Sequence, residues 1–521
     1  MDTKALRQKV LDLAIRGKLV PQDPNDEPAS VLLDRIRAEK QRLVKEGKLK
    51  AKDIKNDTII FVGDDNLHYE KLADGSVKCI EDEIPFDLAD GWVWTRFSSI
   101  ADISLGKMLD AAKNKGDAQK YLRNVNVRWG AFDLSDVLEM RFEEDEFDRF
   151  SIVRGDLVVC EGGEPGRCAI WDSDEAIFYQ KALHRVRPIS VLSEFIYYVL
   201  RAFIGAGIYD RYYTGTTIKH LTGQSIKMLP IPLPPLNEQR RLTEQLDKLQ
   251  LYIDAIESDK SDVITLIAQT KSQILDLAIR GQLVPQDSAD EPASVLLERI
   301  REEKEELIKQ GKTKRDKKES VIFRGDDNSY YEKIGANVVN IDDEIPFELP
   351  NNWAWCRGYS CFEGMESTRP QGDYFDYIDI DAIDNQLHKI KEVKHLLVSD
   401  APSRASRSVK DGSVLFSLVR PYLENIAMVD REHSHCIAST GFYVCNSNGA
   451  LLPEFMFFMM ISGYVVEGLN QYMKGDNSPS ISKDNIEGWL YPVPPIREQM
   501  AICHKLHMML TVIESIEKGL N

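Results

Sequence analysis

The chain writes one long segment twice. "LDLAIRGKLVPQD" begins at Leu11 and "LDLAIRGQLVPQD" at Leu275; carried through to Arg37 and Arg301, the copies agree at 23 of 27 positions. The repeat continues. "GDDNLHYEK" from Gly63 matches "GDDNSYYEK" from Gly325, and "EDEIPFDLADGWVW" from Glu81 matches "DDEIPFELPNNWAW" from Asp342. "PLPPLNEQ" ending at Gln239 matches "PVPPIREQ" ending at Gln499, and the offset drifts only from 264 to 260 residues. A repeat of this length means two copies of one structural unit, not a short-period solenoid. Between the repeated pieces, residues 95–230 and 356–491 diverge. Only traces are shared there: "YLRNVNV" at Tyr121 sits where "YIDIDAI" sits at Tyr377, and "SEFIYYVLR" near Phe195 answers "PEFMFFMM" near Phe455. The plan is repeated frame, variable insert, repeated frame, variable insert.

The frame reads as helical. Leu236 to Arg280 contains no Gly or Pro, and Gly281 follows as a C-terminal stop. Leu242, Leu246, Leu249, Ile253, Ile256, Val263, Ile267, Ile274 and Leu277 fall at alternating steps of three and four, with Lys260 and Thr270 as polar breaks. That is a heptad seam and predicts a long coiled-coil helix of about 65 Å. The C-terminus repeats the first half of this helix, with Ile502, Leu506, Met509, Ile513, Ile516 and Leu520 on the seam. Met1 to Gly17 repeats its second half, with Leu6, Val10 and Leu13 on the seam. One helix is therefore whole in the middle and split between the two ends, a circular arrangement with an implied pseudo-twofold axis and two antiparallel helical supports. A generic coiled coil gives no reason for that split, although a seam alone reads equally well as a core or dimer contact. A second, charged helix starts at Pro28 and carries Leu32, Leu33, Ile36, Leu43 and Val44 to Gly47; its copy runs from Pro292 to Gly311. It packs beside the long helices or forms a docking surface, with a merely solvated face the equal alternative.

Composition sets outer bounds. At 521 residues, 43% hydrophobic and 29% charged, this is a globular chain. No stretch reaches the roughly 18 uninterrupted apolar residues of a membrane helix, and "MDTKALRQKV" has no signal-peptide core. The eight cysteines are scattered, with Cys356 and Cys361 the nearest pair and no CxxC, so a reducing cytoplasmic setting and no zinc are expected. His433 and His435 have no acidic or thiol partner at metal-binding spacing, so no metal is assigned. A net charge of −18 argues, by itself, against nucleic acid. A whole-chain sum says nothing of one face, however, and much of the acid lies in runs such as Glu143 to Asp148.

Two variable domains, entered by "GWVWTRFSSIADI", left by "IPLPPLNEQRRL" and separated by circularly arranged helices, resemble the specificity subunit of type I restriction-modification systems. The resemblance covers nearly the whole chain. It implies a protein with no catalytic activity alone, whose two target-recognition domains each read one half of a bipartite DNA site. It further implies a helical ruler fixing the spacer and docking two methyltransferase subunits, which carry S-adenosylmethionine, with motor-nuclease subunits using ATP and Mg joining them. The chain agrees by what it lacks: no GxxxxGK[ST] phosphate loop, no Asn-Pro-Pro-aromatic motif and no FxGxG cofactor loop. "EGGEPGR" at Glu161 lacks the context of a phosphate cradle and reads as a turn.

DNA contacts divide into those to phosphate, which position, and those to base edges, which specify. In the first insert, Tyr121, Arg123, Asn124, Asn126 and Arg128 are candidates, since Asn suits adenine and Arg guanine. Arg167 follows, then Gln180, Lys181, His184 and Arg185. The run "YYTGTTIKHLTGQSIK" adds Tyr212, Tyr213, Thr214, Thr216, Thr217, Lys219 and His220, a polar, lightly basic loop suited to the sugar-phosphate backbone. Its counterpart "QYMKGDNSPSISKDN" offers Tyr472, Lys474, Asn477, Ser478, Ser480, Ser482 and Lys483. The second insert adds Ser403, Arg404, Arg407, Arg420, Tyr422 and Asn425. For any one Arg or Lys among these, a solvated surface role is the commoner fate. Trp92, Trp94, Trp353 and Trp355 belong to the frame, where strand alternation favours core anchoring over base stacking.

The expected fold is α/β, with α+β recognition domains on a long antiparallel helical scaffold. Residues 1–94 form an N-terminal frame segment, 95–235 and 356–495 the recognition domains, 236–355 the central frame and 496–521 the second piece of the split helix. The reading is a DNA specificity subunit with double-stranded DNA, methyltransferase and motor-nuclease partners. Its rivals are a non-catalytic scaffold whose divergent domains bind protein ligands, and a self-contained enzyme, against which the missing motifs count.

Overall fold

The computed structural model describes residues 2–55, 57–110, 114–312 and 318–520. Met1 and Asn521, the outer ends of the split-helix segments, lie outside the described residues. The chain forms two compact units, Met1–Asp259 and Lys260–Asn521, and the boundary falls inside one continuous helix, Leu236–Ile279.

Each unit repeats the same order of elements. The first has helices Thr3–Ile15 and Ala29–Lys45, then a meander of Ile59–Val62, His68–Lys71 and Val77–Cys79. The second has Ala293–Lys309, then Val321–Arg324, Tyr330–Ile334 and Asn337–Asn340. Pro28 is the N-cap of its helix, one residue outside the position the sequence suggests; the helix itself buries Leu32, Leu33 and Ile36. Each variable insert is tied at its neck by a two-stranded ribbon: Val93–Arg96 with Pro230–Leu233, and Ala354–Arg357 with Leu490–Val493. The prolines fit because a two-stranded ribbon leaves edges where no ladder N–H is needed.

The recurring exit motif holds the neck to the helix. Glu238 accepts the Trp92 indole N–H at 3.0 Å, and Glu498 accepts that of Trp353 at 2.9 Å. Gln239 accepts from Leu192 N at 3.1 Å and donates to the Pro234 carbonyl at 3.0 Å; Gln499 accepts from Leu452 N at 2.6 Å and donates to Pro494 at 3.0 Å. Trp92, Trp94, Trp353 and Trp355 are all buried, so they anchor the core. Below them, buried Arg96 binds Glu70 and Glu83, and Arg357 binds Glu332 and Glu344 in the same way.

The inserts diverge in sequence but share a topology. The first has a sheet ordered Ser151–Ile152, Ile177–Tyr179, Asp117–Leu122, Leu138–Phe142; the second has Ala405–Ser408, Ile437–Ser439, Tyr374–Ile378, Lys394–Leu397. In both, the middle pair is parallel in an otherwise antiparallel sheet: Tyr121 pairs with Phe178, and Tyr377 with Ile437. The hydrophobic helices Ser193–Gly205 and Pro453–Met460 close the cores.

The seam is buried or half-buried from Leu242 through Ile274, Lys260 and Thr270 included. Leu277 is 39% exposed and Ala278 is buried in its place. In the C-terminal helix Ile516 is 50% exposed, and half-buried Glu517 takes the seam position. An ideal helix drifts against a strict 3.5-residue repeat, so steps of three and four lose register near its ends. Glu517 binds Lys271 at 2.8 Å, and the first unit has the equivalent pair, Arg7 with Glu257 at 3.0 Å. Thr3 meets Glu257 while Arg7 reaches back to Asp254, so Thr3–Ile15 runs antiparallel to the first half of the long helix.

The twice-written segment is a helix exit. Gly17 and Gly281 have φ of 66° and 69°, and Lys18 N and Gln282 N return to the carbonyls of Leu13 and Leu277 at 2.8 Å. A Cβ would sit 2.7 Å from Ala89 Cβ at Gly17, and 2.5 Å from Pro350 Cγ at Gly281. Among the described residues no helix is long and apolar enough to cross a membrane.

Candidate nucleic-acid interface

In the first unit, three stretches far apart in sequence converge. The turn 161–167 joins strands Leu157–Cys160 and Cys168–Ile170. Arg167 Nη2 donates to the Asn124 carbonyl at 3.0 Å, and Tyr213 Oη donates to the Pro165 carbonyl at 3.1 Å. Leu221 N donates to the Glu161 carbonyl at 2.7 Å. Residues 214–220 form a tight hairpin in which Thr214 and His220 exchange backbone hydrogen bonds. A Cβ on Gly162 would lie 2.9 Å from His220 Nδ1, and one on Gly163 would lie 3.1 Å from Asn124 Nδ2. "EGGEPGR" is therefore a turn whose glycines let Asn124 and His220 approach. Glu161 N also donates to the Ala182 carbonyl at 2.8 Å, which sets exposed Lys181 at the same edge. Thr214, Thr216, Thr217, Lys219 and His220 are all exposed.

Several candidates do not belong to this surface. Tyr121 is buried at a strand end in the core of the domain. Asn126 is buried because it caps a 3-10 turn: its Oδ1 accepts from Arg123 N, and its Nδ2 donates to the carbonyls of Asp133 and Asp136. Arg185 is 4% exposed, bound to Asp102 at 2.9 Å and to the carbonyls of Asp148, Arg149 and Ser151. His184 is fully buried, and burial holds its imidazole below its ordinary value, hence neutral. Tyr121, His184 and Arg185 lie in stretches of strand where consecutive residues are buried, and Asn126 is held by the turn it caps, so all four are structural. Ser482 is the N-cap of helix Lys483–Gly488, its Oγ accepting from Asn485 N; it is exposed but already engaged.

The second unit makes a similar gathering from other residues. Arg420 sits in the left-handed region at φ 48°, its N donating to the Pro479 carbonyl at 2.7 Å and its Nη2 to that of Asn477 at 2.9 Å. Lys474 and Ser480 exchange backbone hydrogen bonds as Thr214 and His220 do. Tyr422 is exposed on the turn after Arg420, and half-buried Asn425 closes that turn, its carbonyl accepting from Ser417 N. Leu418 N donates to the Gly441 carbonyl and Thr440 N to that of Arg404, which brings Arg404 and the strand Ala405–Ser408 that follows it beside the same loops. Sequence reasoning passed over Arg369. It is exposed in the irregular run 363–373, whose Thr368 N donates to Ser406; the Pro/Gly-punctuated "STRPQGD" was the available signal.

The negative charge of the chain is present at these surfaces. Arg123 pairs with Asp136 at 2.6 Å, Arg128 with Asp133 at 3.3 Å, Arg167 with Glu164 at 2.8 Å, Lys219 with Asp210 at 3.6 Å and Lys483 with Glu487 at 3.1 Å. Both partners are exposed in Arg128–Asp133 and Lys219–Asp210, and a pair of that kind is worth about 0–1 kcal/mol. Elsewhere in the second unit the fold supplies what sequence spacing did not: Asp376 and Cys436 lie beside His435.

Residues 90–266 match the family described as type I restriction modification DNA specificity domain. The chain is 27% identical to the type I restriction enzyme EcoAI specificity subunit of Escherichia coli, over 99% of this chain and 90% of that one. It is 26% identical to the EcoEI specificity subunit of Escherichia coli, over the same shares. Among solved structures, a chain from work on complex assembly and conformational transition of the type I R-M system superposes with a TM-score of 0.53. That match has 16% identity and covers 84% of this chain and 94% of that one, a likeness of fold.

Proposed function

Since the chain belongs to the specificity subunits of type I restriction-modification systems, which supply DNA recognition, we propose that it reads a bipartite, asymmetric site with one half per recognition domain. The observation that carries this is the gathering, in each unit separately, of a polar backbone-paired loop with Arg-bearing turns: 214–220 with Asn124 and Arg167, and 474–480 with Arg420. The polar loops suit the sugar-phosphate backbone and the Arg and Asn side chains suit base edges. Because the two loop sets differ in sequence, the two half-sites differ.

The repeated helices dock two methyltransferase subunits, one per copy of the frame, and the long helix sets the spacer between half-sites. Chemistry resides on those partners, with S-adenosylmethionine for methyl transfer and ATP and Mg on a motor-nuclease subunit. The test is a gel shift of the chain together with its methyltransferase subunit on duplexes carrying the intact site or either half alone. The proposal expects tight binding to the intact site and weak binding to each half. Equal binding to all duplexes at low salt overturns it and favours a scaffold for protein ligands.

A further inference from the structure

The second recognition domain carries a polar cluster outside the loops assigned to DNA. Three neighbouring strands assemble it. Asp376 stands directly across from His395 in the antiparallel pair Tyr374–Ile378 and Lys394–Leu397. On its other side, Tyr377 pairs in parallel with Ile437, so the preceding residues, Asp376 and Cys436, also lie side by side. Asp376 Oδ1 is 2.8 Å from His395 Nδ1, and its Oδ2 is 2.7 Å from His435 Nε2. One ligand atom each from Asp376, His435 and Cys436 lies within 4.8 Å of the others. The thiol is buried, the carboxylate half-buried and the imidazole exposed, so the three grade from the domain core to solvent.

We propose that Asp376, His435 and Cys436 form a binding site for a zinc-class divalent cation. Carboxylate, imidazole and thiolate together are a ligand set for zinc rather than for magnesium or calcium, which take oxygen ligands. Zinc bonds of about 2.0–2.3 Å place tetrahedral ligand atoms roughly 3.3–3.8 Å apart. The observed spacing reaches that by movement of about 1 Å, within the reach of an exposed histidine and a half-buried aspartate. His395 hydrogen-bonds the second carboxylate oxygen, the position from which an outer partner orients a metal-ligating carboxylate. Its ring is itself fixed by stacking on Tyr374, with centroids 5.0 Å apart and planes 7° from parallel. Solvent completes the coordination.

Two further observations bear on this. A plain His–Asp–His hydrogen-bonded bridge accounts for His395, Asp376 and His435 but gives the adjacent thiol no part. The first domain shares the sheet but not the ligands. By the same strand register, the positions of Asp376, Cys436 and His395 are held there by Lys120, Ile177 and Glu139. The cluster is thus a property of the second domain, not of the common fold. His433 stays outside the set, its Nδ1 2.7 Å from Asp430.

The experiment is a titration of the full chain with Co2+ as a spectroscopic zinc probe, followed by competition with Zn2+. The expected result is one equivalent bound, with a thiolate-to-cobalt charge-transfer band that zinc abolishes. Cys436→Ser removes the band, and His395→Ala weakens binding about 10–100-fold, as loss of an outer partner does. His433→Gln leaves it unchanged. Zinc raises the melting temperature of the wild type but not that of Cys436→Ser, a readout independent of DNA binding. Absence of a thiolate band overturns the proposal. So does a band that survives Cys436→Ser, which would point to the exposed Cys79.

Discussion

Arg96→Ala tests how the frame holds the recognition domain. Arg96 is 1% exposed and Glu70 is 2% exposed. Arg96 Nη2 and Nε bind the two Glu70 oxygens at 2.6 and 2.9 Å, and its Nη1 binds Glu83 and the Met228 carbonyl at 2.8 Å. Truncation leaves a buried carboxylate without its counter-charge, which costs about 3–5 kcal/mol. At about 2–4 °C per kcal/mol for a unit of this size, the melting temperature falls by roughly 6–20 °C. Burial by itself would raise the Glu70 carboxyl, but the hydrogen bonds from Arg96 and Thr58 outweigh it and hold it below its ordinary value. A depressed carboxyl contributes stability above its unfolded pKa and loses it as pH falls through the folded one. The gap between wild type and variant is therefore widest near neutral pH and closes on acidification. Thermal melts over a pH series read the gap, and hydrogen exchange assigns it to residues 57–110 and 222–235. A shift below about 2 °C, or one equal at acid and neutral pH, refutes the reasoning, since either means the buried pair contributes little. Arg357→Ala, whose partner Glu344 is half exposed at 53%, is the internal comparison and should cost less.

Three further outcomes follow from the same geometry. Burial lifts the Glu238 carboxyl above its ordinary value against the pull of the Trp92 hydrogen bond, so wild-type stability falls as pH rises from the ordinary carboxylate value to the raised one. Glu238→Gln, still able to accept from Trp92, gains on wild type across that window; a pH-independent difference in melting temperature would contradict this. Gly281→Ala forces a left-handed residue and drives a Cβ to 2.5 Å from Pro350, costing about 1–3 kcal/mol in chemical denaturation. Lys219→Ala, on the exposed hairpin, weakens DNA binding alike for cognate and non-cognate duplexes and lowers the salt slope by about 1; an effect on cognate DNA alone would make Lys219 a base reader.

Periodicity and repetition carry information about neighbours in sequence, and the outcome follows that limit. The duplicated frame was legible because its parts recur as contacts: Trp92 with Glu238 becomes Trp353 with Glu498, and Arg7 with Glu257 becomes Lys271 with Glu517. Leu277 and Ile516 were misplaced because a step rule cannot see helix drift or what abuts the helix end. Tyr121, Asn126 and Arg185 are suggested by side-chain chemistry alone, while buried strand positions hold Tyr121 and Arg185 in the core and the turn it caps holds Asn126. The shared topology of the two inserts left almost no trace in sequence, because core positions accept any apolar residue of suitable size. Asp376 and Cys436 come together only through a parallel pairing across 60 residues of chain, which no spacing rule reaches.

The central claim is that each recognition domain reads its own half of one site. Replacing residues 95–235 with the corresponding segment of a relative of different target, and sequencing the methylated positions across a host genome, tests it most directly. The account predicts that one half of the methylated motif changes while the other half and the spacer persist. A motif altered in both halves, or in neither, would contradict it.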